Sequence, residues 1–420
     1  MAGLQHRSLV LNAALGLALA LACLAAPVAL GKSYSDVPKS HWAHAAIESI
    51  TARGPAGHHL MDDFGSLFKP EDPLTRAQFA SALVTAAGHL TESVHTVAIA
   101  DVPTTDPYYQ VIEIALHHGY LGLQKDGSFY PNDAVVASQA EAGVVKWIKE
   151  RYPTADWQLL TQLRTATWKP NTGWLTGAPS YLPYIVASRQ LELRYNHPFA
   201  ADKHEVTPGQ PIDRAEVAYM FWRGYQLKNE WTLYGLSQYD AITFPPLSAR
   251  QKEIARFALQ FVGYPYVWAG EDPTKDSPYG YQAAGGFDCS GFVFYVMKMH
   301  FGYPITVSER GAHDMAARAK PRITRKNLTC GDLLFFGPNG PKSSVASIYH
   351  AALYLGNGWF IQSTGSTDGV SLASLDTSTY WKNAFAWGRR LLTPAELPPS
   401  PTPTPSPSPT PTSTPLTAQP

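Results

Sequence analysis

Apolar residues recur at helical spacing in the first half of the chain and gather in short runs in the second half. Between residues 33 and 228 they lie three and four positions apart in six segments, a pattern that predicts amphipathic helices. Beyond residue 250, the sequence predicts two further helices and then short apolar strands. The helices cover 254–262 and 292–299, and the strands cover 333–336, 350–355, 359–363 and 385–391. The chain therefore divides into a helical part and a mixed part.

The helical part contains three similar helix–loop–helix units. The first two open with Asp36-Val37-Pro38 and Asp101-Val102-Pro103, and Phe129-Tyr130-Pro131 in the second mirrors Phe68-Lys69-Pro70 in the first. The third unit is more divergent and matches mainly in its second half, around Ile212. Because one unit cannot bury its apolar helix faces alone, we expect the three to assemble around a shared core.

This repeat resembles the S-layer homology (SLH) domain, and the resemblance covers roughly residues 33–228. The predicted repeats span 32–92, 97–152 and 175–228. The resemblance implies a helical domain in which three repeats form a pseudo-threefold prism. It also implies that the grooves of this prism bind secondary cell-wall polysaccharide.

Three residues of the repeats are candidates for polysaccharide binding. Arg76 and Arg214 fall in the first turns of predicted helices, where free backbone N–H groups favour an anion and a guanidinium can hold a carboxylate. Trp42 offers an aromatic face for a sugar ring. The alternative is that both arginines pair with local carboxylates and that Trp42 packs in the core. Gln139 takes the arginine position in the second unit, so we expect no anion contact there.

Both ends of the chain differ in composition from the folded parts. Arg7 precedes an apolar run that ends in small residues at Gly31, and we interpret 1–31 as a secretory signal peptide, with an uncleaved membrane anchor as the alternative. Residues 229–249 are a predicted linker. The Pro/Ser/Thr-rich tail, 394–420, cannot build a core. These features predict a secreted protein associated with the cell wall or cell surface.

Composition excludes some classes of partner. The 33 Lys and Arg residues balance the 33 Asp and Glu residues, so the chain lacks the basic surface that nucleic-acid binding demands. Of the three cysteines, Cys23 lies in the signal, and Cys289 and Cys330 are too few for a disulfide framework. We expect no cofactor, and no metal site, because the pair His117-His118 has no convincing ligands nearby in the sequence.

One cysteine and one histidine carry the candidate chemistry. Cys289 stands at the start of a predicted helix, in the segment Asp288-Cys289-Ser290-Gly291-Phe292, and His350 begins a predicted strand. A cysteine nucleophile needs a thiol and a nearby base, and a helix N-terminus favours the thiolate. A buried structural cysteine is the alternative, but the small and polar neighbours at the turn argue against it.

The ordered motifs after residue 250 resemble the NlpC-type, papain-like cysteine peptidases of bacterial cell walls. They comprise Tyr264-Pro265-Tyr266-Val267-Trp268, Asp288-Cys289-Ser290-Gly291-Phe292, Gly331-Asp332-Leu333-Leu334-Phe335-Phe336, and His350 with Tyr354-Leu355-Gly356-Asn357-Gly358. The resemblance places the peptidase domain at 250–393. It implies an antiparallel sheet packed on helices, so the fold class expected for the whole chain is α+β.

The resemblance also implies roles for individual residues. Cys289 matches the nucleophile, His350 the base, and Gln362 the position of a third polar residue that orients the base. Tyr266, Asp288, Ser290 and Arg310 match substrate contacts of relatives, while Cys330 stands at a position that we interpret as structural. The structural alternative for Asp288 is that it caps the helix. The structural alternative for Gln362 is that it only forms hydrogen bonds with backbone groups.

The leading hypothesis is an exported, wall-anchored thiol endopeptidase. By resemblance it would cleave peptidoglycan stem peptides, between D-glutamate and a diamino acid. One alternative is an S-layer-associated wall-binding protein whose hydrolase domain is degenerate. Another is an amidase or acyltransferase on the same fold, since the same acyl-enzyme serves all of these reactions.

Overall fold

The structure, a computed structural model, describes residues 32–53, 59–94, 98–160, 180–227 and 235–398. The predicted signal peptide and all but the first five residues of the predicted tail lie outside these ranges. Among the helices of the described residues, none is both long and apolar enough to cross a membrane.

Two helices from each predicted repeat form the first part of the protein. They are α1 (His44–Thr51), α2 (Arg76–Ala87), α3 (Tyr109–His117), α4 (Ala137–Arg151), α5 (Leu182–Gln190) and α6 (Arg214–Gln226). Helix α2 begins with a capping box, in which Thr75 and Gln78 each bond the other's backbone N–H. The Asp213 carboxylate caps α6 in the same way, by accepting from the Glu216 N–H.

The three units close into a ring through backbone hydrogen bonds just before their second helices. Leu74 N–H donates to Ile212 O, Ile212 N–H to Val135 O, and Val135 N–H to Leu74 O, at 3.2, 3.1 and 2.8 Å. The three residues are buried, with at most 1% of each exposed. Each unit therefore contributes one extended segment to a shared, cyclic centre, which is the arrangement expected when no unit buries its own apolar faces.

The second part is the mixed domain. It opens with α7 (Ala249–Leu259), which Ser248 and Gln251 cap. Its main sheet is antiparallel, in the order β8-β7-β6-β5-β9. The strands are β5 (Leu333–Phe336), β6 (His350–Gly356), β7 (Trp359–Thr364), β8 (Gly369–Ser374) and β9 (Phe385–Arg389). The antiparallel sheet beside helices confirms the α+β class.

Both faces of this sheet are buried, which explains why its strands read as continuous apolar runs rather than as alternating ones. One face packs on α8 (Cys289–Phe294), which continues as a π-helix over Tyr295–His300. The other face is covered by α10 (Thr379–Ala384) and its neighbours, whose Trp381 packs on Phe336 and Phe360. The short helix α9 (Ala312–Ala317) completes the domain.

The sequence patterns predict neither β8 nor α10, and they predict a loop over residues 271–286. That segment forms two small ladders, in which β1 (Glu271–Asp272) pairs with β4 (Gly286–Phe287) and β2 (Asp276–Ser277) pairs with β3 (Gly280–Tyr281). Two-residue strands are too short to show a periodicity, so the apolar pattern could not reveal them.

The two parts are packed together by buried charges. Arg189 of α5 binds Asp368, in the turn between β7 and β8, and donates to Gly263 O at 2.6 Å. Asp202 accepts a hydrogen bond from the Trp268 N–H at 2.8 Å. The third repeat therefore abuts the mixed domain directly, on the side where the candidate chemistry lies.

Candidate active site

Cys289 is the first residue of α8, as the sequence predicts. The Asp288 carboxylate caps the helix by accepting from the Gly291 N–H at 2.6 Å, and the Asp288 N–H donates to Gly270 O at 2.8 Å. A Cβ atom added at Gly291 would lie only 2.0 Å from Gly270 O. The Asp-Cys-Ser-Gly segment is therefore held tightly against the preceding loop, and position 291 has no room for a side chain.

His350 begins β6, and its imidazole is held by a neighbouring strand. Its Nε2 lies 2.7 Å from Oε1 of Gln362 on β7, and both side chains are buried. The amide oxygen only accepts, so the proton sits on Nε2 and Nδ1 keeps a lone pair. Trp381 packs against the imidazole, with the two ring centroids 5.0 Å apart. The orientation of the His350 ring thus depends on Gln362, which the sequence predicts, and on Trp381, which it does not.

The thiol of Cys289 lies at the beginning of the strand that carries the histidine. The backbone N–H groups of Ala351 and Ser290 act to lower the pKa of the Cys289 thiol. Burial, reinforced by the charge of Asp288, nevertheless raises the pKa of the Cys289 thiol to about 11. Burial also lowers the pKa of His350 to about 4. Both shifts favour the uncharged form of the side chain, in the opposite direction to the thiolate that the helix N-terminus alone would favour.

Arg310 braces the segment around the cysteine. It bonds Asp288 at 3.0 Å, Ser290 Oγ at 2.9 Å and Glu271 at 2.5 Å. Its remaining nitrogen donates to Gly270 O at 2.9 Å. Protein groups thus engage each of its three nitrogens, and Asp288 acts both as the helix cap and as the partner of Arg310. Substrate contact by Asp288, Ser290 and Arg310 stays a prediction.

Tyr266 lies against the same segment, forming an isolated bridge with Phe287. Burial first, and then the nearby Cys289 and Asp288, raise the pKa of the Tyr266 hydroxyl. Two residues along, Trp268 is 60% exposed and meets Phe199 of the third repeat, which is 68% exposed. One edge of the site is therefore built by the repeats, and the sequence reasoning did not anticipate this because the contact joins residues 69 positions apart.

The candidate polysaccharide residues lie elsewhere, between repeats. Arg76 is buried and donates to Phe129 O, Gly122 O and the Gln139 side chain, at 2.7, 2.9 and 2.8 Å. These bonds tie the first repeat to the second. An anion at Arg76 would have to displace them, which the sequence alone could not reveal.

Arg214 ties the third repeat to the first in the same manner. It is buried and donates to Phe68 O at 2.8 Å and to Asp62 O, while its Nη1 is buried without a hydrogen-bond partner. Trp42 stacks on Tyr195, with centroids 4.5 Å apart, inside an aromatic cluster. Neither arginine rests on the local carboxylates that the alternative reading expected, because both bond backbone carbonyl groups. Polymer binding by these residues stays a prediction.

Comparison with protein families locates both parts. The model of the NlpC/P60 family matches residues 263–390, which contain Cys289, His350 and Gln362. The C-terminal domain is an NlpC/P60 domain. The model of the S-layer homology domain matches residues 98–135, within the second predicted repeat. The two families follow each other in the order that the sequence motifs predict.

Named relatives match about a third of the chain. Murein DD-endopeptidase MepH of Escherichia coli K12 is 33% identical over 141 residues, covering 33% of this chain and 45% of that protein. Gamma-D-glutamyl-L-lysine dipeptidyl-peptidase of Bacillus cereus ATCC 10987 is 32% identical over 165 residues, covering 39% of this chain and 42% of that protein. The chain therefore spans less than half the length of either relative.

A solved structure also matches. It is an NlpC/P60 family protein from Bacillus cereus ATCC 10987, 30% identical, covering 35% of this chain and 42% of that chain, with a TM-score of 0.28.

Two residues of the NlpC/P60 domain were missed by the sequence reasoning. Trp381 covers the imidazole of His350 but lies 31 residues away, in a helix with no apolar periodicity long enough to notice. Ser363, next to Gln362, donates to Phe287 O at 2.6 Å and so joins β7 to the segment before the cysteine. The signal available for Ser363 was its place beside Gln362 in the run Gln362-Ser363-Thr364, because three polar residues end an otherwise apolar strand.

Proposed function

We propose that this protein is an exported peptidoglycan endopeptidase with a Cys–His–Gln site, held at the cell wall by its repeats. The observation that carries the proposal is the arrangement of three groups. A half-buried thiol at the start of α8 lies near the backbone of Ala351 at the start of β6, and the preceding residue, His350, is bonded by Gln362. The names of the relatives of the NlpC/P60 domain support hydrolysis of wall peptides.

The reaction follows from the protonation states. As Cys289 attacks the scissile carbonyl, its proton passes to Nδ1 of His350, the nitrogen that Gln362 leaves free. Sulfur and carbonyl carbon form a bond, and the oxyanion meets the backbone N–H of Cys289 at the helix start. The imidazolium then returns its proton to the amine as the C–N bond breaks. A water molecule, deprotonated by His350, hydrolyses the thioester and restores the thiol.

Neutral Gln362 suits a histidine that begins and ends each cycle uncharged. Its Oε1 orients the ring and fixes the tautomer, whereas a carboxylate would also stabilise the imidazolium. The pair therefore works by transferring the proton during attack rather than by holding a permanent thiolate. A buried neutral pair costs less free energy than a buried ion pair that lacks further partners.

The bond between D-glutamate and the diamino acid is the proposed cleavage site. The relative named gamma-D-glutamyl-L-lysine dipeptidyl-peptidase supports this choice, while the relative named DD-endopeptidase supports a different bond in the same polymer. Mass spectrometry of purified muropeptides incubated with the full chain distinguishes them by the mass of each product.

Two variants make that experiment decisive. Cys289→Ala should abolish cleavage, whereas Cys330→Ala should keep it, because Cys330 is fully buried and its Sγ lies 3.8 Å from the carbonyl oxygen of Gln251, within the domain core. Products split after D-glutamate, lost only with Cys289→Ala, would support the proposal. Intact muropeptides with the unaltered chain would favour a wall-binding protein with a degenerate hydrolase domain, and a transferred acyl group would favour an acyltransferase.

Anchoring rests on the repeats and on the S-layer homology match at 98–135. A groove between the first two repeats is lined by Arg76, Lys125, Tyr130 and Gln139, among others. Lys125 and Tyr130 are exposed at its rim, and the Tyr130 hydroxyl donates a hydrogen bond to the Asp126 carboxylate. We expect Lys125→Ala with Tyr130→Ala to lower retention on isolated walls without lowering the cleavage of soluble muropeptides. Unchanged retention would contradict binding at this groove.

A further inference from the structure

Two histidines and two glutamates from separate segments of the repeats meet at one place. His89 follows the end of α2, Glu92 lies three residues later, His118 follows the end of α3, and Glu150 lies in the last turn of α4. The two imidazoles stack face to face, with centroids 4.0 Å apart and planes 10° apart. We refer to these four residues as the His–Glu cluster.

Each carboxylate of the cluster reaches both rings. Glu92 lies 2.6 Å from Nδ1 of His89 and 2.8 Å from Nε2 of His118. Glu150 lies 2.5 Å from Nε2 of His89 and 3.9 Å from Nδ1 of His118. All four ring nitrogens thus face carboxylate oxygens, and the ion pairs of the described residues give these two glutamates only histidine partners.

This arrangement demands a cation that neutral histidines do not provide. A neutral imidazole has one N–H and one lone pair, so a neutral His89 would aim a lone pair at one of its two carboxylates. Either an additional proton or a metal ion must fill that contact. A metal ion binds the lone pair of an imidazole nitrogen and a carboxylate oxygen at the same time, so it satisfies both kinds of group in the cluster.

We propose that the His–Glu cluster binds one divalent transition-metal ion of the zinc class. The ligand atoms of His89, Glu92 and His118 already lie within 4.8 Å of one another. Around a tetrahedral Zn²⁺ they would stand about 3.3 Å apart, given metal–ligand bonds of about 2.0 Å, so rotation of these half-buried side chains would close the site. Imidazole with carboxylate is a ligand set that zinc accepts.

Two surrounding features favour a cation at this position. The α2 and α3 helices end at the cluster, and Glu150 occupies the last turn of α4, so the negative ends of three helix dipoles are nearby. The hydroxyl of buried Tyr120 donates to Glu150 and holds that carboxylate in place, as outer-shell groups do at metal sites. The bound ion would join the first repeat to the second.

The sequence predicts no metal site because it offers each histidine no ligand close along the chain. His118 is 26 residues from Glu92 and 32 from Glu150, and only the packing of the repeats brings these groups together. The proposal is independent of the peptidase activity, because no residue of the cluster belongs to the NlpC/P60 domain.

Binding can be measured on the untagged full chain, freed of metal by chelation at pH 7.5. The Cys289→Ala background is needed because a thiol beside a histidine also binds zinc. Isothermal titration with ZnCl₂ should give one equivalent per chain, and Co²⁺ should give the visible absorption of a tetrahedral site. A hundredfold excess of zinc over its Kd should raise the Tm of the repeats by about 5 °C.

Matched variants distinguish metal binding at the His–Glu cluster from metal binding elsewhere on the chain. His118→Gln and, separately, Glu92→Gln should weaken binding by at least about tenfold and abolish the cobalt spectrum. His117→Gln, which alters the exposed histidine next to His118, should change neither. Circular dichroism checks that each variant folds. Absence of stoichiometric binding in the Cys289→Ala chain, or binding unaffected in both cluster variants, would overturn the proposal and leave an ion-pair cluster.

Discussion

The guanidinium of Arg189 binds the carboxylate and the backbone carbonyl of Asp368, and thereby joins the third repeat to the β7–β8 turn of the NlpC/P60 domain. Both residues are buried, at 1% and 3% exposure. Gln362, whose amide oxygen bonds His350, lies on the strand that leads into this turn. The repeats and the NlpC/P60 domain therefore share one interface, and the repeats support the strand that carries Gln362.

Breaking this buried pair should destabilise the protein strongly. Arg189→Met leaves the Asp368 carboxylate buried without its partner, which costs about 3–5 kcal/mol of unfolding free energy. Glu253→Gln, which removes the exposed partner of Arg250, should cost less than about 1 kcal/mol. Urea unfolding followed by circular dichroism gives both values. Similar losses for the two variants would show that the interface pair is not a stabilising contact.

Alkylation of Cys289 should reveal a neutral resting pair. Because the pKa of the thiol is raised to about 11, the thiolate fraction grows about tenfold with each pH unit through the neutral range. The rate with iodoacetamide in a Cys330→Ala background should therefore climb from pH 6 to pH 10 without a plateau. A rate that is constant between pH 5 and pH 8 would instead indicate a thiolate–imidazolium pair.

The acidic limb of the peptidase profile should follow His350. Burial lowers its pKa to about 4, so the imidazole is neutral above that pH and can accept the thiol proton, and kcat/KM should fall only as the pH drops through about 4. Gln362→Glu places a carboxylate at 2.7 Å and should raise this pKa, moving the acidic limb upward. If the acidic limb of kcat/KM falls at the same pH in the unaltered protein and in Gln362→Glu, that result would argue against contact between residues 350 and 362.

Removing the hydrogen bond to the histidine should slow turnover without abolishing substrate binding. Gln362→Ala deletes a buried contact worth about 1–3 kcal/mol, which corresponds to a fall in kcat of roughly five- to 150-fold, with KM nearly unchanged. Steady-state kinetics on a purified muropeptide measure both constants. An unchanged kcat would indicate that Gln362 only makes a structural hydrogen bond and does not contribute to turnover.

The Asp288–Phe292 segment should tolerate no side chain at its glycine. In Gly291→Ala the new Cβ would collide with Gly270 O, so the loop or the helix must move, and activity should fall at least about tenfold. Gly122→Ala is the control, because an added Cβ there meets nothing within 4 Å. Equal activity of the two variants would mean that the loop adjusts without displacing Cys289.

Local sequence was sufficient for the elements that contain their own signals. The start of α2 is indicated by Thr75 and Gln78. The β6–β7 hairpin is indicated by Gly356-Asn357-Gly358, whose φ angles are all positive. The Asp-Cys-Ser-Gly segment likewise contains its own helix cap. In each case the residues that make the structure are neighbours in the chain, so short-range hydrogen bonds and backbone preference are enough to identify it.

Tertiary structure alone decided which long-range partners these elements find. It assigned Arg76 and Arg214 to carbonyl groups of other repeats, set Trp381 against His350, and brought His118 to Glu150. It also reversed the electrostatic expectation at Cys289, because burial depends on every surrounding element and outweighs the local effect of the helix start. Sequence determined the repeats, four strands of the main sheet and the candidate residues Cys289, His350 and Gln362, whereas packing determined the surroundings of these residues and hence the direction of their pKa shifts.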